Sequence, residues 1–193
     1  MNFEFSEGQQ RVRDSIERFV QDDYDWDTRR AIVASDTGMS DKAWQTFAEL
    51  GWLSITFAEE DGGFGGDIVD TMVIMEEIGK GLVVEPYLPT VVLFGGLIAR
   101  AGNEAQRNAW IPSIIEGSTS GAFAYLERQS RFEIADCLTQ AKTAGDGWVL
   151  NGEKVVVFNG ANCNQMIVLA RTSGEQWDRD GLSLFVVAAD AEG

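Results

Sequence analysis

The sequence predicts an α+β fold: an all-α helical domain over residues 1–118, followed by an incomplete antiparallel β-domain over residues 119–193. Three observations carry this reading. Apolar residues recur at helical spacing up to about residue 116, and after Gly117 the pattern shortens to that of strands. The stretch 145–171, GDGWVLNGEKVVVFNGANCNQMIVLAR, then sets Asn151-Gly152 and Asn159-Gly160 between β-branched runs. Asparagine and glycine both tolerate the positive φ of a tight hairpin, so each pair is expected to turn one strand into the next.

The helices follow in order. Ser6 and Gln9 form a capping box ahead of Val12, Ile16, Phe19 and Val20, which line one stripe of a helix over 7–22. A short helix is expected over 26–33. Ser40 caps a segment in which Ala43, Trp44, Phe47 and Ala48 face one way, and Gly51 closes it. Residues 68–78 and 90–101 are apolar on most faces, as central helices of a bundle would be. Asn103 with Gln106 opens a last helix to about residue 116, with Pro112 as a kink and Gly117 as the stop. Beyond it, strands are expected at 122–126, 138–144, 148–150, 153–158, 165–171 and 182–187.

Composition narrows the chemistry. Thirty-one acidic residues against 15 basic ones give a formal charge of −16, a field that repels nucleic-acid phosphates and anionic lipid surfaces. The N-terminus lacks the basic and apolar regions of a leader, and the apolar run 91–99 is too short to span a bilayer, so a cytoplasmic protein is expected. Histidine is absent, which removes histidine bases, Ser-His-Asp triads and the usual zinc sites. Cys137 and Cys163 stand 26 positions apart and fit no metal or redox motif, so both are read as reduced thiols.

Longer phrases resemble the acyl-CoA dehydrogenase family, flavoenzymes that oxidise acyl-CoA thioesters. Residues 49–66 (ELGWLSITFAEEDGGFGG), Glu76-Glu77-Ile78-Gly79-Lys80-Gly81, Gly102-Asn103-Glu104-Ala105-Gln106, GDGWVLNGEKVVVFNG and the closing GLSLFVV occur in the family's order. The resemblance implies the helical first domain and part of the middle β-domain, in a family whose members are roughly twice this length. It also implies FAD, an acyl-CoA substrate, electron-transfer flavoprotein or a similar acceptor, and a homo- or hetero-oligomer. The family's proton-abstracting carboxylate lies in a C-terminal helical bundle, so no catalytic residue is assigned in this chain, and the chain alone is expected to be inactive and poorly soluble.

Carried over position by position, the resemblance implies flavin contacts at Phe123, Tyr125, Leu126, Phe132, Val156 and Phe158. The family's Thr-Glu-Pro reads Leu126-Glu127-Arg128 here; Phe132 stands for a serine, and Val156-Val157-Phe158 for Trp-Ile-Thr/Ser. Only Glu127, Asn159 and Gly160 match. Each missing hydrogen bond removes about 0.5–1.5 kcal/mol, so flavin binding is expected to be weakened or shared with a partner subunit. Phe132 and Phe158 either plug a vacated flavin site or mark a slip in the alignment.

Other patterns have plainer readings. Gly62-Gly63-Phe64-Gly65-Gly66 could cradle a phosphate, but no Lys-Ser/Thr follows and Glu59, Glu60 and Asp61 crowd its mouth, favouring a flexible turn. Glu76 and Glu77 point about 100° apart on a helix and read as a solvated helix end. Leu93 and Phe94 line an acyl tunnel or pack a core.

Overall fold

The computed structural model describes residues 4–192, in two compact units, Met1–Thr119 and Ser120–Gly193. The first is helical: α1 (Glu7–Asp23), α2 (Trp26–Val33), α3 (Asp41–Glu49), α4 (Ile68–Lys80), a wider π-type run Leu88–Gly95 continuing into α5 (Gly96–Ala101), and α6 (Glu104–Ile115). Both predicted capping boxes form, Ser6 with Gln9 and Asn103 with Gln106. A third, Asp67 with Asp70, starts α4.

Two helix ends show why glycine follows them. Gly51 (φ +78°) donates to Ala48 O at 2.9 Å and Trp52 to Phe47 O at 3.0 Å, while Gly117 (φ +74°) and Ser118 repeat this pattern on Ile114 and Ser113. These are Schellman closures, which need a residue in the left-handed region. The first delivers Trp52 into the core, where Phe19, Phe47 and Trp52 meet with ring centroids 4.8–5.6 Å apart.

Two expectations change. Helix α4 is not buried all round: it buries Val73, Ile74, Glu77 and Ile78 but leaves Ile68 77% exposed. Its Glu77 is not solvated either, since the carboxylate is buried and pairs with Lys80 Nζ at 2.7 Å and Arg13 Nε at 3.1 Å, tying α4 to α1.

The glycine-rich loop is a rigid corner. All five amides from Gly62 to Gly66 are used internally, on Glu59, Ala58, Ser54, Phe57 and Ile55 carbonyls at 2.8–3.2 Å. None is left to point at a phosphate. A Cβ on Gly63 would overlap the Phe57 carbonyl, which is why that position has no side chain.

The second unit is a five-stranded mixed sheet: β1 (Gly121–Ala124), β2 (Gln140–Ala144), β3 (Gly147–Asn151), β4 (Gln165–Arg171) and β5 (Leu182–Ala188). The antiparallel expectation holds for β2 with β3 and β4 with β5, whereas β1 and β2 run parallel to β4. No strand forms over 153–158. Val155 N donates instead to Leu126 O at 2.9 Å, and Val156 takes φ +53°, outside strand geometry. Neither Asn-Gly pair joins two strands. Among the described residues, the one two-residue turn between paired strands is Gly145-Asp146, with Gly145 at φ +57°.

Arg171, at the end of β4, is buried among carbonyl oxygens. Its guanidinium donates to Ala135, Cys137, Ser173, Gln176, Asp178 and Asp180 at 2.8–3.4 Å, bonding the 173–180 loop to the 135–137 segment without a carboxylate. In the helical unit, Phe47→Ala should lower unfolding free energy by about 3–5 kcal/mol, read as a shifted urea midpoint with unchanged slope.

Candidate functional site

Three of the implied cofactor residues, Phe123, Tyr125 and Leu126, lie along β1 and just past its end. Along that strand alternate side chains share a face, so Phe123 and Tyr125 project together, and their rings stack with centroids 4.7 Å apart and planes 22° from parallel. The chain then turns at Glu127, whose amide donates to Ser130 Oγ at 3.0 Å while that hydroxyl donates back to Glu127 O at 2.9 Å.

Glu127 itself is directed inward and is only 4% exposed. Its Oε1 accepts from Lys154 Nζ at 2.7 Å, Thr139 Oγ1 at 2.6 Å, Thr139 N at 3.0 Å and the Cys137 thiol at 3.4 Å. Its Oε2 accepts from Leu138 N and Gln129 Nε2, both at 2.8 Å. One carboxylate therefore gathers the 126–130 turn, the approach to β2 and the 152–158 segment. It also explains why β2 starts at Gln140: the amides of Leu138 and Thr139 serve the carboxylate rather than a strand partner.

Burial acts to raise the Glu127 carboxyl pKa, but hydrogen bonds from Lys154, Thr139 and Gln129 outweigh it and hold the group well below the usual carboxylate range. It is ionised, matched to the Lys154 cation and neutralised locally. Burial pushes both the Cys137 and Cys163 thiols up, and at Cys137 the Lys154 cation acts against it.

Asn159 fixes the neighbouring loop. Its side-chain amide donates to Ser120 Oγ at 2.8 Å and Gly121 O at 3.2 Å, and its carbonyl accepts from Asn162 and Cys163. It also takes φ +63°, a conformation asparagine tolerates. Glu127 and Asn159, two of the residues that match the family, thus hold the two loops in place.

The remaining implied contacts differ in placement. Leu126 is half-buried and receives the Val155 amide on its carbonyl. Phe132 is 98% exposed, Val156 68% and Phe158 57%, so the phenylalanines plug no site within the β unit. Leu93 is half-buried on the π-type run of the helical unit; Phe94 is fully buried there, edge-on to Trp110 at 6.4 Å, as a core residue would be. Sequence reasoning named Glu127 but missed Lys154, Thr139 and Gln129 as its partners. The available signal was the lone lysine directly ahead of the apolar run Val155-Val156-Val157-Phe158.

Among the described residues no group of three His, Cys, Asp or Glu side chains could hold a metal ion, and no helix is long and apolar enough to cross a membrane. FAD fits the site only in part. The stacked Phe123–Tyr125 pair offers a flat apolar surface, but Leu126, Phe132, Val156 and Phe158 offer no side-chain hydrogen bond to a flavin ring.

Comparison with known proteins agrees with this architecture. The sequence model of the acyl-CoA dehydrogenase N-terminal domain matches residues 6–118, and that of the middle domain residues 122–193. The chain belongs to the acyl-CoA dehydrogenase family. It is 30% identical to a probable acyl-CoA dehydrogenase, YngJ, of Bacillus subtilis over all of this chain and 51% of the relative. It is also 30% identical to the mouse mitochondrial long-chain specific acyl-CoA dehydrogenase, over 98% of this chain and 44% of the relative. Among solved structures, a variant of the Tcur3481-Tcur3483 steroid ACAD superposes with a TM-score of 0.85 at 28% identity, over 97% of this chain and 49% of that one. The chain thus spans about half the length, or less, of these relatives.

Removing the charge at the hub should be costly. Glu127→Gln leaves Lys154 buried without a counter-charge and is expected to lose about 3–5 kcal/mol. Because folding depresses this pKa, its stabilisation is complete above the unfolded value of about 4.3 and drains away as pH falls below it. Chemical denaturation across the acid range should therefore show a shallower pH slope in Glu127→Gln than in the parent.

Proposed function

We propose that this chain supplies the helical region and the flavin- and acyl-facing β region of an FAD-dependent acyl-CoA dehydrogenase, oxidising an acyl-CoA thioester between its α and β carbons in the cytoplasm. The observation that carries the reading is the Glu127 hub: the residue matching the family's motif organises the loop at the end of β1, where the implied flavin residues Phe123, Tyr125 and Leu126 lie. FAD, when bound, supplies two-electron acceptor chemistry. The chain's part is to hold the Phe123–Tyr125 face and the 126–132 loop in position, with Leu93 presenting apolar surface to the acyl group. Electrons would pass on to electron-transfer flavoprotein or a similar acceptor.

A second reading is a flavin-poor, non-catalytic subunit of a heteromeric acyl-CoA dehydrogenase, acting as assembly partner. It is favoured by the exposed apolar residues Phe132, Val156 and Phe158 at positions where the family resemblance leads one to expect polar or indole contacts. These side chains offer partner surface rather than hydrogen bonds.

The readings separate on colour. The full gene product should be purified alone and after co-expression with any adjacent dehydrogenase-like gene, and the visible spectrum recorded. Flavin absorbance in the protein expressed alone would sink the assembly reading. Colour that arises only on co-expression would sink the self-sufficient enzyme.

A further inference from the structure

The Glu127 network also brings a thiol and an amine together. Cys137 Sγ lies 3.6 Å from Lys154 Nζ, and Glu127 Oε1 bridges them at 3.4 Å from the sulfur and 2.7 Å from the nitrogen. Thiol and amine are nearly buried, held by different chain segments and already oriented toward one another. Cys163 is also buried, but its sulfur's hydrogen-bond partner is the Gly160 carbonyl at 3.7 Å, so it serves as an internal comparison.

We propose that Cys137 and Lys154 form a reversible sulfur–nitrogen crosslink when the protein meets a hydroperoxide. Sulfenic acids condense with nearby nitrogen to give sulfenamides, and here the nitrogen is preplaced. In the first step the sulfur attacks one peroxide oxygen; the S–O bond forms, the O–O bond breaks, and the departing oxygen takes the thiol proton and leaves as water, or as the alcohol from an organic hydroperoxide. Sulfur is oxidised by two electrons and the peroxide is reduced. In the second step the Lys154 nitrogen displaces that oxygen; the S–N bond forms, the S–O bond breaks, and a second water leaves carrying one ammonium proton. The other proton released from the ammonium leaves to solvent in the cleft that Lys154 lines.

Access is provided from the sheet. A cleft of about 710 Å³, lined by Thr139, Lys154, Trp148, Met166 and Phe185 among others, reaches the lysine. Cys137 does not line that cleft, so peroxide, little larger than water, has to pass Lys154 to reach the sulfur 3.6 Å from its nitrogen. Holding the amine against the sulfur gives the condensation the advantage of an intramolecular reaction over further oxidation. The product would tie the segment before β2 to the 152–158 segment, fastening together two loops of the candidate site.

The test is peptide mass spectrometry on the full gene product treated with hydrogen peroxide. Expected is a linked peptide pair carrying Cys137 and Lys154, lighter than the sum of its parts by two hydrogens, abolished by dithiothreitol and absent from Cys137→Ser and Lys154→Arg. Recovery of Cys137 only as thiol, sulfinic or sulfonic acid with Lys154 unmodified, under exposure that oxidises Cys163, would overturn the proposal. So would a linked pair heavier by one oxygen, which would mean a different bond. The parent protein alone decides between these outcomes if either variant fails to fold.

Discussion

The Glu127 carboxylate, with six donors converging on its two oxygens, is the interaction on which the β unit depends. A buried ion pair is a poor source of net stability, because desolvating both charges costs several kcal/mol before their attraction is counted. What this pair supplies is position. Two strand-flanking amides, a hydroxyl, a side-chain amide and an ammonium have their places set by one acceptor, and two loops far apart in sequence are brought together. The sheet around it is modest, with strands of four to seven residues.

The helical half was largely legible in the sequence because its signals are local. Ser6, Ser40 and Asn103 cap helices through hydrogen bonds that span three residues, and Gly51 and Gly117 end them through a backbone conformation that glycine favours. The β half was legible in five of its six expected strands, but not at 153–158 and not in the connections. Asn159 does adopt the positive φ its Asn-Gly pair advertised, yet its side chain is bonded to Ser120 and Gly121, so the turn serves a loop instead of a hairpin. Residues 153–158 carry strand-forming side chains, but the Lys154 ammonium is drawn to Glu127 and the Val155 amide to Leu126. Long-range demands of this kind override β propensity and leave no local trace.

The candidate site shows the same division. Substitution at Leu126, Phe132, Val156 and Phe158 could be read by comparing residues with the family pattern. Their consequence could not, since whether a phenylalanine fills a cavity or faces solvent is decided by the fold. Phe132 faces solvent almost completely. The glycine-rich loop inverts the usual inference as well: five residues that composition marks as flexible have every amide engaged.

Arg171 offers a last consequence. Its planar fork sits in a ring of six carbonyl oxygens, the coordination a crown ether gives a cation, except that host and guest belong to one polypeptide. The 173–180 loop therefore needs little regular structure of its own, because it is moulded on a template that cannot diffuse away. A lysine would bring the same charge but three donors to six acceptors, so the information held at this position is shape rather than charge.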